Sequence, residues 1–426
     1  MELKKVVIVG GVRIPFVKSF TKYKNASNKD MLIHVLQGLV KKYKLQGKKI
    51  DEVALGAVMK HADDWNMARE AVLSSGLAKE TPAYDLQRAC GTSLSAFVQL
   101  ANKIALGQID VAIAAGSDSN SDAPLELSKG LSKKLMDFNS ARSLIDRLAI
   151  IPKIRPSDFV PKIPTAGEPR TGKTMGKHCE MMAQEWNISR ESQDDLAATS
   201  HQNGVKAYDE GFHRDLVIPY KGIEKDSILR EGTTVEKLSK LRTVFDKGPK
   251  GTLTAANSTP LTDGAAAVLL CSEEYANKNN LPILATFVDA QIAAVDFEAG
   301  EGLLMAPAYA VSQLLKRNRL KLQDFDFYEI HEAFAAQVLC TLKAWESEVF
   351  CKSKLGLSQA LGAIDRSKLN VKGGSVALGH PFAATGARIT VTLAEILNQA
   401  GRGRGLISIC TAGGMGVTAI LEKGKI

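Results

Sequence analysis

One plan of sequence occurs twice in this chain, and it narrows the folds open to it. In the first copy Cys90, within Arg88-Ala89-Cys90-Gly91-Thr92-Ser93, precedes a stretch from Leu94 to Leu106. There Leu94, Phe97, Val98, Ala101, Ile104 and Ala105 recur at helical spacing. Gly107 stops the pattern, and Val111-Ala112-Ile113-Ala114-Ala115-Gly116-Ser117 follows as an apolar strand of the doubly covered kind. In the second copy Gly379-His380-Pro381 precedes a helix from about Ala384 to Asn398, Gly401-Arg402-Gly403-Arg404-Gly405 turns the chain, and Leu406-Ile407-Ser408-Ile409-Cys410 is the matching strand. Two related α/β halves are expected, their loops converging on one site.

The 426 residues exceed one ordinary core, so two or three domains are expected. Val6 to Gly10 reads as a buried strand and Asp51 to Val58 as the approach to another. Ser121 to Lys250 differs: it holds Pro152, Pro156, Pro161, Pro164 and Pro169, and Glu180 to Asp209 is polar and helical by spacing. It reads as an inserted lobe. Gly251 to Asn257 returns to the core, and Asp263-Gly264 reads as a tight turn into the strand Ala265 to Leu270. Tyr309 to Arg317 reads as a helix, followed by a strand that ends at His331-Glu332. The division predicted is 1–120 with 251–275, an insertion over 121–250, and 276–426.

Apolar residues make up 45% and charged residues 24%, the balance of a globular chain. The opening run Val6 to Val9 is too short for a signal sequence, no stretch reaches membrane-spanning length, and Lys423-Gly424-Lys425-Ile426 carries no recognisable address. A cytoplasmic location is expected. The six cysteines form no CxxC pair, which points to a reducing compartment and away from a zinc site. Net charge is +9, and Ser128 to Lys173 concentrates ten basic residues against four acidic ones. No nucleic-acid-binding motif accompanies them, so a nucleic-acid partner is not expected. Ser140 to Ile151 has the pattern of an amphipathic helix able to touch a membrane or a partner subunit.

Three loops hold the candidate chemistry. Cys90 opens a helix, whose dipole is expected to lower its pKa and favour a nucleophilic thiolate. Thr92 and Ser93 read as capping or packing residues. His380, between glycine and proline, reads as a base poised near neutrality for Cys90. Cys410 precedes Ala412, Gly413, Gly414 and Gly416, a loop whose N–H groups can face an oxyanion and whose thiol can move a proton at carbon. His331-Glu332 follows a strand and starts a helix; His331 can donate to a carbonyl directly or through water, and Glu332 can orient it or hold that water. Cys179, Cys271, Cys340 and Cys351, and His34, His61, His178, His201 and His213, have no comparable setting.

Together these motifs resemble the thiolase family. Arg-Ala-Cys-Gly-Thr-Ser at Cys90, His331-Glu332-Ala333-Phe334, Gly379-His380-Pro381 and Cys410-x-x-Gly413-Gly414-x-Gly416 stand in that family's order. Asn257 to Ala265 and Gly373-Gly374-Ser375 extend the resemblance over nearly the whole chain. Many relatives have Asn where His331 stands, Gly where Ala412 stands and His where Thr174 stands. The His331 form, with His380 to Arg388, resembles the branch containing the β-subunits of fatty-acid oxidation complexes. The resemblance implies a thiolase fold: two α/β halves, each a mixed sheet covered by helices, in a five-layered core with an inserted loop domain.

It also implies 3-ketoacyl-CoA thiolysis. Cys90, deprotonated by His380, would carry the acyl group, and Cys410 would protonate the departing enolate. One oxyanion would be held by His380 and a water positioned by His331, another by the backbone N–H groups of Cys90 and Ala412. Met175, Ser258 and Thr259 match positions lining the pantetheine channel. Coenzyme A is implied as co-substrate, with no tightly bound cofactor and no metal. The implied partners are a second copy (a dimer or a dimer of dimers), a hydratase/dehydrogenase α-subunit and a peripheral membrane contact. The same residues would serve an acetyl-CoA acetyltransferase; a decarboxylating ketosynthase would leave Cys410 without a task. A non-catalytic lipid carrier would not need Cys90, His380 and Cys410 together.

Overall fold

Alternation within the apolar runs decides which core each residue enters. Strand β1 (Val6–Arg13) sends Val6 and Ile8 into one core and Val7, Val9 and Val12 into another, as a strand covered on both faces must. The computed structural model describes residues 3–162, 164 and 167–424. Met1, Glu2, Ile163, Thr165, Ala166, Lys425 and Ile426 lie outside the described residues, and with them the outer ends of the predicted division and of the predicted address-free terminus.

The other strands are β2 (Val17–Lys18), β3 (Glu52–Gly56), β4 (Ala83–Asp85), β5 (Val111–Asp118), β6 (Thr262–Ser272), β7 (Ala285–Ala294), β8 (Phe327–Ile330), β9 (Gly403–Thr411) and β10 (Met415–Lys423). They join in the order β4-β3-β5-β6-β1-β7-β10-β9-β8, with β2 beside β6. β3 pairs parallel with β5, then β5–β6 and β6–β1 are antiparallel. β8 pairs parallel with β9, then β9–β10 and β10–β7 are antiparallel. The doubled sequence plan is therefore a doubled topology, continuous where Val6–Ile8 of β1 meets Ala285–Phe287 of β7.

Helices Thr92–Ala105 and Thr385–Ala400 each precede the corresponding strand, β5 and β9. Their Leu94, Phe97, Leu100, Ile389, Leu393 and Leu397 share one core with Ile8, Val268, Ile407 and Val417. The two helices approach so closely that a Cβ on Gly386 would lie 2.4 Å from the Leu94 backbone nitrogen. Helix Asn28–Lys42 covers the outer face of the first half through Met31, Leu32, Val35 and Leu36. Helices Ala306–Asn318 and Ala335–Glu346 cover the second through Val311, Leu314, Val338 and Trp345. Helices, sheet, central helices, sheet and helices make the five expected layers.

Three local expectations change. Asp263-Gly264 is not a turn but the start of β6; the Asp263 carboxylate accepts from the Ser19 hydroxyl and from the Asn120 and Ser121 N–H groups, which holds the residue extended. Glu180 to Asp209 is not one helix. Met175–Glu185 and Arg190–Asp209 are separated by Asn187 at φ 49°, and the Ser189 side chain caps the second. Ser140 to Ile151 is not one amphipathic helix either: Lys129–Ser140 ends at extended Ala141, and only Leu144–Leu148 is helical before Pro152 enters a 3₁₀ turn.

The predicted insertion is also uneven. Leu144–Leu148 buries no residue, whereas Cys179, Met182, Ala183 and Leu196 share a core with Leu339 and Cys340 of the second half. Among the described residues no helix is long and apolar enough to cross a membrane.

Candidate active site

Cys90 sits in a tight turn, Arg88–Gly91, in which Ala89 takes the left-handed φ of 42°. Such a conformation is costly for a residue with a Cβ. The Thr92 hydroxyl holds it, accepting from Arg88 N–H at 2.9 Å and donating to the Ala89 carbonyl at 2.7 Å. Gly91 is pressed from the other half: a Cβ there would lie 2.8 Å from Val417 and 3.0 Å from Thr411. Ser93 ties the central helices together, donating to the Ala383 carbonyl and accepting from Ala387 N–H. Thr92 and Ser93 thus serve packing, as expected, but neither caps its own helix; Ser93 accepts an N–H of the other central helix instead.

His380 Nε2 lies 3.1 Å from Cys90 Sγ, and its Nδ1 lies 2.6 Å from Thr385 Oγ1 at the start of the central helix. Thr262 Oγ1 accepts its backbone N–H. The proton affinities differ from expectation. Burial pushes the Cys90 thiol up to about 12, although the N–H groups of Ala412 and Cys90 itself bond to the sulfur and act the other way. Burial, aided by the Arg388 charge, pushes His380 down to about 3. The helix terminus does not make a standing thiolate, and His380 is not poised near neutrality. Desolvation of both charged forms outweighs the dipole, so thiol and neutral imidazole are the resting pair.

The ring of His331 packs at a tilt against His380, centroids 4.1 Å apart. A ring nitrogen of each and Cys90 Sγ lie within 4.8 Å of one another, so these three are also the atoms that could hold a metal ion. His331 Nδ1 meets Ser375 Oγ at 2.7 Å, while Nε2 is buried without a partner among the described residues. Cys410, next to last in β9, is fully covered; burial, then proximity to Cys90, raises its thiol well above the ordinary range. Two thiols and two imidazoles, one with a ring nitrogen unpaired among the described residues, therefore converge where the two halves meet. Such an arrangement can exchange protons while a thioester forms and breaks.

The whole chain matches known proteins. Residues 6–274 match the family described as "Thiolase, N-terminal domain" and residues 281–423 that described as "Thiolase, C-terminal domain". The chain belongs to the thiolase family. A 3-ketoacyl-CoA thiolase of Yersinia pestis (strain Pestoides F) is 43% identical over 425 residues, 98% of this chain and 97% of the relative. Among solved structures, Bacillus anthracis acetyl-CoA acetyltransferase superposes with TM-score 0.81 at 32% identity, covering 99% of both chains. Human mitochondrial 3-ketoacyl-CoA thiolase in complex with CoA gives 0.82 at 29% identity, covering 100% of both.

The remaining predicted positions of this thiolase lie as follows. Ser258 bridges to Phe334 beside the His331 loop, and its buried hydroxyl has no partner among the described residues. Thr259 N–H donates to the Ala333 carbonyl at 3.1 Å, and Leu261 bridges to His380. Met175 begins its helix and packs on the core of the second half; Thr174 caps that helix through its hydroxyl. Glu332 lies in the loop before helix Ala335–Glu346 rather than inside it. Its carboxylate accepts from the Ser200 hydroxyl, the Asn370 amide and Val376 N–H, and no bond to His331 is among its contacts.

Sequence reasoning gave no role to four groups of this site. Thr385 and Ser375 each meet a histidine nitrogen. Arg388 Nη2 donates to Ser375 Oγ at 2.7 Å. Glu168, from the predicted insertion, accepts Gly413 N–H at 3.1 Å and so fixes the loop after Cys410. Only Thr385 had a signal, a hydroxyl at a helix start five residues after His380; Arg388 reads in sequence as an ordinary helix charge.

Proposed function

We propose that this thiolase is a 3-ketoacyl-CoA thiolase, an acetyl-CoA C-acyltransferase of fatty-acid β-oxidation. The observation that carries the reading is Cys90 Sγ at 3.1 Å from His380 Nε2, with Cys410 and the Ala412 amide beside the same sulfur. Sγ attacks the 3-keto carbon as its proton passes to His380, a concerted step because the resting pair is neutral. Cys90 N–H, Ala412 N–H and the histidine N–H groups receive the oxyanions. The C2–C3 bond breaks, its electron pair becomes the enolate of acetyl-CoA, and Cys410 S–H protonates C2. Coenzyme A then attacks the acyl-Cys90 thioester. His380 returns its proton to the Cys410 thiolate, then takes the CoA thiol proton and hands it to the freed Cys90, which closes the cycle.

In this reading coenzyme A is a co-substrate bound near Met175, Ser258 and Thr259, with the insertion over 121–250 contributing, and no cofactor is tightly held. Residues 1–120 with 251–275 and 276–426 are its two halves. All six cysteines are free, which fits a cytoplasmic location. The functional unit is a dimer or a dimer of dimers associated with a hydratase/dehydrogenase α-subunit. The basic segment Lys129–Phe159 exposes Met136 (70%), Leu144 (71%), Ile145 (79%) and Phe159 (66%), a surface suited to a membrane interface. Sedimentation with anionic vesicles tests that contact; binding only by the α-subunit would move the assignment to a protein partner.

Rates of CoA-dependent cleavage over a series of 3-ketoacyl-CoA chain lengths, with mass detection of acyl-Cys90, test the function. Full activity in Cys90→Ser, or no adduct at Cys90, would overturn it. The likeness to an acetyl-CoA acetyltransferase structure favours a second reading, with acetoacetyl-CoA as substrate. Activity confined to the shortest member of the series would select it.

A further inference from the structure

His331 has one nitrogen engaged and one without a partner among the described residues, and the engaged one meets a hydroxyl that a guanidinium also holds. Nδ1 lies 2.7 Å from Ser375 Oγ, and the same oxygen accepts from Arg388 Nη2 at 2.7 Å. A guanidinium can only donate, so one lone pair of Ser375 Oγ is taken. If Nδ1 carried a proton it would take the other, and the Ser375 hydrogen would be buried with no acceptor. If Nδ1 is bare, the Ser375 O–H donates to it and every group at the junction is satisfied. Leaving a buried hydroxyl hydrogen unpaired is costly, and the guanidinium polarises Ser375 O–H further toward donation.

We propose that Arg388 and Ser375 are positioning residues that lock His331 as the Nε2–H tautomer, so that an N–H donor is what His331 presents to a substrate carbonyl oxygen. Nε2 is buried and without a partner among the described residues. With Nδ1 occupied, it is the nitrogen left to face the space shared with Cys90 and His380. Arg388 is itself fully buried, its Nη1 3.9 Å from Glu329 Oε2, with Nε and Nη1 making no hydrogen bond among the described residues. A buried charge with so little pairing is expensive as a structural element; polarising Ser375 gives it a task. His380 needs the opposite tautomer, with bare Nε2 toward the Cys90 thiol and Nδ1–H donating to Thr385 Oγ1.

This inference deepens the thiolase reading and rests on it for its catalytic consequence, but the tautomer can be read without substrate. In protein carrying ¹⁵N-histidine, with His331→Asn used only to assign the signal, NMR of the resting wild type is expected to show His331 bare at Nδ1 and protonated at Nε2. Ser375→Ala is expected to lose that preference and to lower kcat for thiolysis about 10- to 100-fold, with KM for CoA changed less than about twofold. Arg388→Met is expected to act in the same direction and Arg388→Lys to recover part of the loss. A wild-type spectrum with Nδ1–H overturns the proposal whether or not any variant folds. So does Ser375→Ala with tautomer and kcat unchanged. A wild type that shows the Nε2–H form yet cleaves no 3-ketoacyl-CoA would remove the functional reading and leave the lock standing.

Discussion

His331 and His380 face each other with ring centroids 4.1 Å apart and planes tilted by 52°, and each is gripped at Nδ1 by a different hydroxyl, Ser375 at 2.7 Å and Thr385 at 2.6 Å. Two imidazoles in the same buried space would repel if both were charged. Burial lowers the proton affinity of both; Arg388 adds to the effect on each, and His380 to that on His331. The Cys90 thiol and the two imidazoles therefore favour their uncharged forms.

That resting neutrality is measurable at Cys90. With the thiol pushed up to about 12 by burial and His380 down to about 3, the thiolate fraction should grow about tenfold per pH unit across the neutral range. Alkylation of the substrate-free protein by iodoacetamide, followed at the Cys90 peptide, is expected to accelerate by that factor between about pH 7 and 9. A rate already level near neutrality would reveal a standing thiolate–imidazolium pair and end this account of the resting state.

Cys410 is assigned the proton at carbon, which separates its loss from that of Cys90. Cys410→Ala is expected to form acyl-Cys90 from an acyl-CoA while exchange of the acetyl-CoA methyl hydrogens with D₂O falls by about 10²- to 10⁴-fold. Proton NMR of acetyl-CoA reads the exchange, and mass spectrometry the adduct. Exchange at the wild-type rate would assign the proton transfer elsewhere.

Gly386 is where the two central helices touch. Gly386→Ala places a methyl group 2.4 Å from the Leu94 backbone nitrogen, which only backbone movement can relieve. Destabilisation of about 1–3 kcal/mol is expected, with a lower kcat because the same helices present Cys90 and His380. Thermal unfolding with parallel kinetics would detect both; an unchanged melting temperature would mean that the helices can part without cost.

His213 supplies an acid-stability prediction away from the site. Both ring nitrogens are buried without partners among the described residues, and burial, then Arg13, lowers the ring from its ordinary 6.5 to about 3. As pH falls from about 6.5 toward 3 the unfolded chain gains a proton that the folded chain refuses. Stability present above that range is therefore lost on acidification, by up to about 1.4 kcal/mol per pH unit. His213→Leu is expected to narrow the gap in melting temperature between neutral and acidic buffer. An equal gap in both proteins would sink the assignment.

Much of this was legible in the chain. The doubled loop, helix, glycine and strand announced two halves, and the helices at Thr92–Ala105 and Thr385–Ala400 begin within a few residues of where periodicity put them. Cys90 and His380 were singled out because glycine and proline neighbours leave a reactive side chain uncovered. Asp263-Gly264 misled, because the acceptors and donors that hold it extended come from Ser19, Asn120 and Ser121. Glu332 was expected to serve His331, yet its bonds run to Ser200, Asn370 and Val376.

By itself, then, the sequence determined most of the elements, their repetition and the candidate reactive groups, since helix and strand periods, caps and glycines act over a few residues. Only the tertiary structure decided that the Cys90 thiol is pushed up, that His380 is pushed down and that Ser375 stands between Arg388 and His331. Proton affinity and tautomer depend on the water removed and the dipoles supplied by every neighbour at once. Those neighbours come from strands, loops and helices of both halves, far apart along the chain.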